Sequence, residues 1–290
     1  MDDSPRPAPG VKAAHSSVPD GARTAVNRLL PRGPLDLVLQ LVLIAAAYTA
    51  WRYARGAVHG DTTAEMGAAL ANARDLIDAE RSLHLFVESS VQSWAVDWGW
   101  PAEIARWGYA NLHFKVSCLA LLTIYLWRPG SYPFVRNAVI AAMAISLLGY
   151  AFYPTAPPRF VPELGLDGSR AVTGNDPLLL SGTSVFYNPF AAVPSMHIGL
   201  ALIYAGSLAL LARRRAVKVA LLAYPVLMTY IVVATGNHFW LDAVFGAVAA
   251  ALAVGVALLL GRVHPAWSFQ VKAAPTARID PAPEIKAATA

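Results

Sequence analysis

Residues 194–261 read PSMHIGLALIYAGSLALLARRRAVKVALLAYPVLMTYIVVATGNHFWLDAVFGAVAAALAVGVALLLG, three long apolar segments joined by short polar turns. The segments run over Ser195–Ala212, Val217–Ala234 and His238–Gly261. A helix needs about 20 apolar residues to cross the hydrocarbon core of a bilayer, and each segment approaches or reaches that length. This stretch therefore predicts a bundle of membrane-spanning helices.

The composition of the whole chain agrees with a membrane protein. Of its 290 residues, 56% are hydrophobic and 14% are charged, which is too apolar for an ordinary soluble domain. The net charge of +5 would fit a nucleic-acid partner, but the basic residues flank apolar segments and form no basic face with aromatic residues, so we exclude nucleic acid. The single cysteine, Cys118, allows no internal disulfide.

Three more apolar segments precede this stretch, at Leu35–Tyr53, Glu103–Trp127 and Tyr132–Tyr153. We therefore predict an all-α fold, a polytopic bundle of six transmembrane helices over residues 35–262. Residues 1–34 are rich in Pro, Ala, Gly and charge, and are predicted to form a disordered cytoplasmic tail. Residues 263–290 are predicted to form a second cytoplasmic tail.

The basic residues predict the orientation of the bundle in the membrane. They concentrate in the two tails and in the connections after the second and fourth apolar segments, which include Arg128, Arg136 and Arg213-Arg214-Arg215. Because Lys and Arg favour the cytoplasmic side, we expect both termini in the cytoplasm of a cell bounded by a plasma (inner) membrane. The starts of the fourth and sixth segments then face the extracytoplasmic side.

Two long connections lie on that predicted outer side. Residues 61–100 carry Met66, Leu70, Ala73 and Ile77 at helical spacing, which predicts an amphipathic helix at the membrane interface, followed by a belt of tryptophans. Residues 154–193 are rich in Pro and Gly and predict a long loop, which is more often functional than structural filler. The tryptophans of the belt are Trp94, Trp98, Trp100 and Trp107.

Two histidines at the starts of predicted helices are the main candidates for chemistry. His238 and Asp242 are four residues apart, so on one helix their side chains share a face, and the aspartate would orient the ring as a nucleophile towards phosphorus. His197 follows Pro194-Ser195, where Ser195 can cap the helix or bind an anion, and could act as general acid. Helix starts offer free N–H groups and a positive dipole, so both together predict a phosphate site.

Further polar residues are candidates for phosphate or substrate binding. Arg159 lies in the outer loop, where an arginine fork suits phosphate oxygens, although a surface arginine that reaches lipid head groups is an equal alternative. Lys115, two residues after His113, lies near the middle of the second span and should face the bundle interior, either in a substrate pocket or in a structural pair. Asn188 and Asn237 flank the two histidine motifs and could donate hydrogen bonds.

These residues resemble the motifs of the phosphatidic acid phosphatase type 2 superfamily. Its Pro-Ser-x-His motif is matched by Pro194-Ser195-Met196-His197, and its His-x-x-x-Asp ending by His238 and Asp242. The resemblance implies a six-helix membrane enzyme in which His238 forms a phosphohistidine, Asp242 orients it and His197 protonates the leaving group. Water or a second alcohol would then accept the phosphoryl group.

The chain departs from the phosphatase form of these motifs. The Ser-Arg that precedes the histidine in that form is replaced by Ile231-Val232, and the Lys-x6-Arg-Pro motif is absent. Pro157-Pro158-Arg159 resembles instead the branch that includes inositol phosphorylceramide synthases. The resemblance therefore raises transfer of a phospho-head group, such as phosphoinositol, to a lipid alcohol relative to hydrolysis of a lipid phosphate.

The sequence leaves three functions to be separated. The first is a lipid phosphoester enzyme at the outer leaflet, with membrane lipids as partners and without a metal or other cofactor. The second is a metal-dependent hydrolase, since two histidines and an aspartate could ligate zinc. The third is a non-enzymatic lipid transporter, although the polar groups gather at one face and do not line a path across the bilayer. The oligomeric state is not determined.

Overall fold

The computed structural model describes residues 30–58, 62–166 and 188–265. Within these ranges the chain is all-helical, as predicted, with eight α-helices and two 3-10 turns in the loop after the fifth helix. The predicted tails lie outside the described residues, apart from 30–34 and 263–265. The helices are α1 Pro34–Ala57, α2 Thr62–Ser82, α3 Glu88–Trp98, α4 Trp100–Trp127, α5 Tyr132–Phe152, α6 Met196–Leu211, α7 Arg215–Ala234 and α8 Trp240–Val263.

Five of these helices are long and apolar enough to cross a membrane, namely α1, α4, α5, α7 and α8. The sixth predicted span is present as α6, but this helix has only 16 residues. At about 1.5 Å per residue it is about 24 Å long, shorter than a typical hydrocarbon core of about 30 Å. The described chain is thus a multi-pass bundle with five candidate spans, and α6 forms a shorter apolar helix inside it.

Helix α6 occupies the centre of the bundle and packs against α4, α5, α7 and α8. Small residues allow close packing where α5 and α8 contribute to the core, including Ala138, Ala142, Ala250 and Ala253. In a membrane, small residues stabilise helix pairs because they let the backbones approach closely. Helices α6 and α8 approach closely at two glycines, where the carbonyl oxygen of Gly246 lies 3.1 Å from the position that a Cβ on Gly199 would take.

A buried polar cluster joins α1 to the bundle at the end where α5 begins. Arg136 of α5 is 1% exposed and donates a hydrogen bond to Gln40 of α1. Tyr125 of α4 donates a hydrogen bond to Asp36 of α1 at 3.1 Å. These contacts satisfy polar groups that would be costly to bury alone.

The predicted amphipathic helix is observed as α2, and its apolar stripe packs inside the protein. Ala69, Ala73 and Ile77 are buried in a cluster that includes Phe190 of the long loop and Phe239 before α8. The loop is also attached to α2 by hydrogen bonds, because Asn72 donates to the carbonyl oxygen of Pro154 at 2.7 Å. Helix α2 therefore covers the end of the bundle at which α6 and α8 begin, and its position at a membrane interface stays a prediction.

The long loop after α5 has no long helix in its described parts, residues 154–166 and 188–193. Two 3-10 turns, Pro158–Phe160 and Pro162–Leu164, follow its prolines. The N–H of Thr155 donates to the carbonyl oxygen of Phe190 at 2.8 Å, so the two ends of the loop lie together over the start of α6. The intervening residues 167–187 are outside the described part of the chain.

Candidate active site

His238 and Asp242 form a buried pair at the start of α8. His238 Nδ1 lies 3.1 Å from Asp242 Oδ2, and the two residues are 6% and 0% exposed. The sequence placed both on one helix, and this is wrong: α8 begins at Trp240, so His238 precedes it by two residues. They still meet because Asp242 turns back over the helix start, where the same Oδ2 accepts a hydrogen bond from the N–H of Phe239 at 2.9 Å.

His197 lies directly opposite this pair. It is the second residue of α6, and its Nδ1 is 3.4 Å from Nε2 of His238. The hydrogen-bond partners assign the protons: Asp242 accepts from Nδ1–H of His238, which leaves a lone pair on His238 Nε2, and His197 Nδ1–H donates towards it. The unprotonated nitrogen of one imidazole thus faces a proton donor on the other.

Backbone contacts between α6 and α8 hold the two histidines together. The N–H of Ser195 donates to the carbonyl oxygen of Asp242 at 3.0 Å, which joins the starts of the two helices. One turn further along, a Cβ on Gly246 would lie 2.4 Å from the carbonyl oxygen of Ser195. No side chain other than hydrogen fits there, so glycine permits the approach that brings the two imidazoles into contact.

The two histidines open into a cavity of about 210 Å³. Six of the residues proposed from the sequence line it, and they come from α4, the long loop, α6 and the turn before α8. Asp242 lies behind His238 and does not line the cavity. The six are His113, Arg159, Asn188, His197, Asn237 and His238.

Arg159 and Asn237 form a polar wall beside His238. The Arg159 side chain donates a hydrogen bond to Asn237 Oδ1, and its backbone N–H donates to the carbonyl oxygen of Gly236 at 3.1 Å. Asn237 Nδ2 in turn donates to Thr235 Oγ1 at 2.7 Å. Among the described residues the Arg159 Nε has no hydrogen-bond partner, although it is buried. This N–H group of the guanidinium is thus not used by the described part of the protein.

His113 and Asn188 contribute to the cavity in different ways. The His113 ring stacks edge-on to His197, with 4.8 Å between ring centroids. Asn188 bonds to backbone, since its Nδ2 donates to the carbonyl oxygen of Arg55 at 3.3 Å and its Oδ1 accepts from the N–H of Phe190 at 2.8 Å. His113 therefore packs against His197, while Asn188 holds the end of the loop against α1.

Two other predicted residues lie elsewhere. Lys115 does not face the bundle interior as expected: it is exposed on the outer surface of α4, where Nζ bonds to Asn111 at 2.9 Å and lies 6.0 Å from the Trp107 ring centroid. The reason is that α4 is apolar on several faces, so its pattern does not reveal which side is inside. Ser195 is fully buried, makes no side-chain capping bond and does not line the cavity.

The backbone N–H groups at the start of α8, which the sequence predicted to bind phosphate, are already bonded to side chains of the protein. The N–H groups of Phe239, Trp240 and Leu241 are all bonded to carboxylates, those of Asp242, Glu88 and Glu80. An anion in the cavity must therefore be held by side chains and not by these amides.

The sequence analysis missed the part of the cavity wall that α1 supplies. Tyr48, Trp51 and Arg55 line the cavity together with Tyr109 of α4. Arg55 adds a second cation, with its guanidinium carbon 5.0 Å from the centroid of the Trp51 ring. The signal was present: positions 48, 51 and 55 follow the helical spacing of i, i+3 and i+7, so three polar or aromatic side chains share one face of an apolar helix.

The comparisons with known proteins identify the family. The family model described as PAP2 superfamily matches residues 74–256, which include both histidine motifs and most of the bundle. The chain therefore belongs to the PAP2 superfamily, and this membership supports a membrane enzyme of the lipid phosphatase or phosphotransferase kind. Neither the curated proteins nor the solved structures gave a match.

Proposed function

We propose that the protein is an integral membrane enzyme that transfers the phosphoryl or phospho-head group of a lipid through a phosphohistidine at His238. One observation carries the proposal: His238 is held by Asp242 through one ring nitrogen, while its other nitrogen faces His197 across 3.4 Å at the cavity. A nucleophile oriented by a carboxylate and placed next to a proton donor is the arrangement that covalent catalysis requires.

The two steps follow from the proton positions. In the first, His197 acts as the imidazolium ion, which carries a proton on both ring nitrogens once the anionic phosphate is bound. The lone pair of His238 Nε2 forms a bond to phosphorus, the bond from phosphorus to the lipid oxygen breaks, and the Nδ1 proton of His197 passes to that oxygen, which leaves His197 neutral. In the second, His197 takes the proton of an incoming hydroxyl group, whose oxygen attacks phosphorus and releases His238. Asp242 stabilises the positive charge on the His238 ring in both steps.

Arg159, Asn237 and Arg55 are the groups we assign to phosphate binding. All three line the cavity with the histidines. Two guanidinium groups can neutralise the phosphate and the charge that develops on its oxygens during transfer. Lys115 is left out of the proposed site because it lies on the outer surface of α4.

The size of the cavity indicates which part of the substrate it receives. Its volume of about 210 Å³ is below the roughly 300–1,000 Å³ of pockets that enclose a drug-sized ligand. The cavity therefore suits a phosphorylated head group, and the acyl chains of the lipid would remain outside it in the bilayer.

Transfer to a lipid alcohol is the reaction that the loop favours. Pro157 and Arg159, from the tripeptide that resembles the inositol phosphorylceramide synthase branch, both line the cavity. The chain has Val232 where the phosphatase form of the motif has an arginine, and we assign the phosphate-binding role of that arginine to Arg159 of the loop, which bonds to Asn237. We assign the protein to this branch, with phosphoinositol as a candidate head group and hydrolysis as the competing outcome.

We also propose that the site faces the outer leaflet of the plasma (inner) membrane and that both termini are cytoplasmic. The basic residues Arg128 and Arg213–Arg215 lie at the helix ends opposite to the histidines, by the order of α4, α6 and α7. The excess of Lys and Arg on cytoplasmic loops supports this orientation.

Turnover of histidine variants tests the proposal. The purified protein would be assayed for phosphate release from dioctanoyl phosphatidic acid and for head-group exchange between phosphatidylinositol and a fluorescent ceramide. His238→Ala should lower kcat by about a thousandfold or more, because it removes the nucleophile. His197→Ala should lower kcat by about a hundredfold or more, because it removes the acid. His264→Ala, at the far end of α8, is the matched control.

A trapped intermediate gives the second readout. Phosphate-labelled substrate should leave an acid-labile, alkali-stable label on the wild-type protein and none on His238→Ala. Activity retained in both His238→Ala and His197→Ala, or a label that survives in His238→Ala, would overturn the proposal.

A further inference from the structure

Three buried carboxylates meet at the first turn of α8. Glu80 of α2, Glu88 of α3 and Asp242 of α8 are each 0% exposed. Glu80 Oε1 accepts a hydrogen bond from the backbone N–H of Leu241 at 2.7 Å, and Glu88 Oε1 accepts one from the N–H of Trp240 at 2.7 Å. The start of the helix that follows His238 is thus bonded to two elements remote from it in the sequence.

Helix α3 also holds the end of α7. Gln92 is 2% exposed, and its Nε2 donates to the carbonyl oxygen of Val233 at 3.3 Å. Glu88 is fixed in its own place, because its Oε2 accepts from the N–H of Val87 at 3.0 Å. The turn from α7 to α8, which carries Asn237 and His238, is therefore bonded to α3 at both of its ends.

Packing alone does not explain why a carboxylate lies at position 80, on the buried face of α2. Ala69, Ala73, Ile77 and Glu80 follow one another along the buried stripe of α2, where an apolar residue would pack without cost. Burial of a carboxylate costs free energy unless hydrogen bonds compensate it. The positive end of α8 supplies that compensation, which ties the carboxylate to the orientation of the helix start.

We propose that Glu80 and Glu88 are positioning residues for the nucleophile: through the N–H groups of Leu241 and Trp240 they hold the first turn of α8 and so set Asp242 against His238. This inference rests on the proposed function. Neither glutamate lines the cavity, so each acts through Asp242 and not on the substrate. Loss of either bond frees the first turn, and Asp242 Oδ2 then no longer stays at 3.1 Å from His238 Nδ1.

The proposal is tested by variants that change either the length of the side chain or its ionisable group, but not both. Glu80→Gln keeps an acceptor oxygen within reach of Leu241 and removes the ionisable group, whereas Glu80→Asp and Glu88→Asp keep an ionisable carboxyl group and withdraw its oxygens by one methylene. We expect both aspartate variants to lower kcat about tenfold with KM within twofold, and Glu80→Gln to keep the wild-type kcat. The matched control is Asp78→Asn, an exposed carboxylate on the same helix. Phosphate release from dioctanoyl phosphatidic acid is the assay.

A spectroscopic readout keeps this test independent of the substrate. The proton of His238 Nδ1–H should give a downfield NMR signal in histidine-labelled protein, assigned by its loss in Asp242→Asn. We expect the signal to persist in Glu80→Gln and to disappear in Glu80→Asp and Glu88→Asp, even if the wild type turns over none of the lipids. The positioning role would be overturned if Glu80→Asp or Glu88→Asp kept the wild-type signal and kcat. It would also be overturned if the kcat of Glu80→Gln fell as far as that of Glu80→Asp.

Discussion

At the scale of single residues, one carboxylate oxygen orients the His238 ring. Asp242 Oδ2 accepts both from His238 Nδ1 and from the N–H of Phe239, so it sets the ring orientation and completes the helix start at once. This dual role explains why His238 reaches the aspartate although it lies outside the helix. The other ring nitrogen, Nε2, faces Nδ1 of His197 at 3.4 Å.

Glu80 gives a prediction for the pH dependence of stability. The pKa of Glu80 is raised from an ordinary 4.5 to about 8: burial raises it most, the N–H of Leu241 lowers it, and the nearby Glu88 and Asp242 raise it. Between these two pH values the folded protein binds a proton that the unfolded chain has released, so the free energy of unfolding falls as pH rises from about 4.5 to about 8. Above about pH 8 this contribution becomes constant.

Thermal unfolding in detergent, measured across this pH range, checks the expectation. The Tm of the wild type should fall steadily as the pH rises, and the Tm of Glu80→Gln should fall less, because a carboxamide does not titrate. Asp78→Asn, with an exposed side chain, should follow the wild type. Parallel curves for wild type and Glu80→Gln would contradict the prediction.

At the scale of helices, the contact of α6 with α8 decides whether the site forms. The two helices meet at Gly199 and Gly246, and the N–H of Ser195 bonds to the carbonyl oxygen of Asp242. His197 lies two positions from Ser195 and His238 lies four positions from Asp242, so both are close to this bond. A shift of either helix along the other would change the distance between the two imidazoles directly.

Gly246→Ala tests the importance of this contact. Its Cβ would lie 2.4 Å from the carbonyl oxygen of Ser195, a backbone atom that cannot move alone, so α8 must move away from α6. We expect kcat to fall about a hundredfold, since a displacement of about 1 Å at a catalytic pair has that effect. Gly255→Ala on the same helix meets nothing within 4 Å and should keep the wild-type kcat. Equal activity of the two variants would show that the contact does not control the site.

At the scale of the whole molecule, the two ends of the bundle differ in chemistry. One end carries the histidines, the long loop and the cover formed by α2. The other carries the Asp36–Gln40–Arg136 cluster and the basic connections after α4 and α6. The positive-inside rule uses this difference in Lys and Arg content between the two ends to orient a membrane protein.

Cysteine labelling in intact cells tests the orientation. In a Cys118→Ser background, Asp75→Cys places a thiol on the exposed side of α2 and Arg214→Cys places one between α6 and α7. A membrane-impermeant maleimide should label the first in intact cells and the second only after lysis. The reverse pattern would place the site on the cytoplasmic side.

The sequence alone predicted much of the fold and the two histidines that meet at the candidate site. Long apolar runs are recognisable because a bilayer demands length and hydrophobicity, and all six appear as helices, although α6 is shorter than a span requires. The order of the spans also places the starts of α6 and α8 at one end, so His197 and His238 could be assigned together. The helical spacing of the stripe on α2 was recognisable for the same local reason.

Only the tertiary structure determines which faces of the helices pack against one another. A membrane helix is apolar towards lipid and towards its neighbours alike, so hydrophobic pattern carries little information about its inner face. For this reason Lys115 was expected inside and lies outside, while Arg55 was missed and lines the cavity. The bonds of Glu80 and Glu88 to the start of α8 join residues more than 150 positions apart, and only packed coordinates reveal such partners.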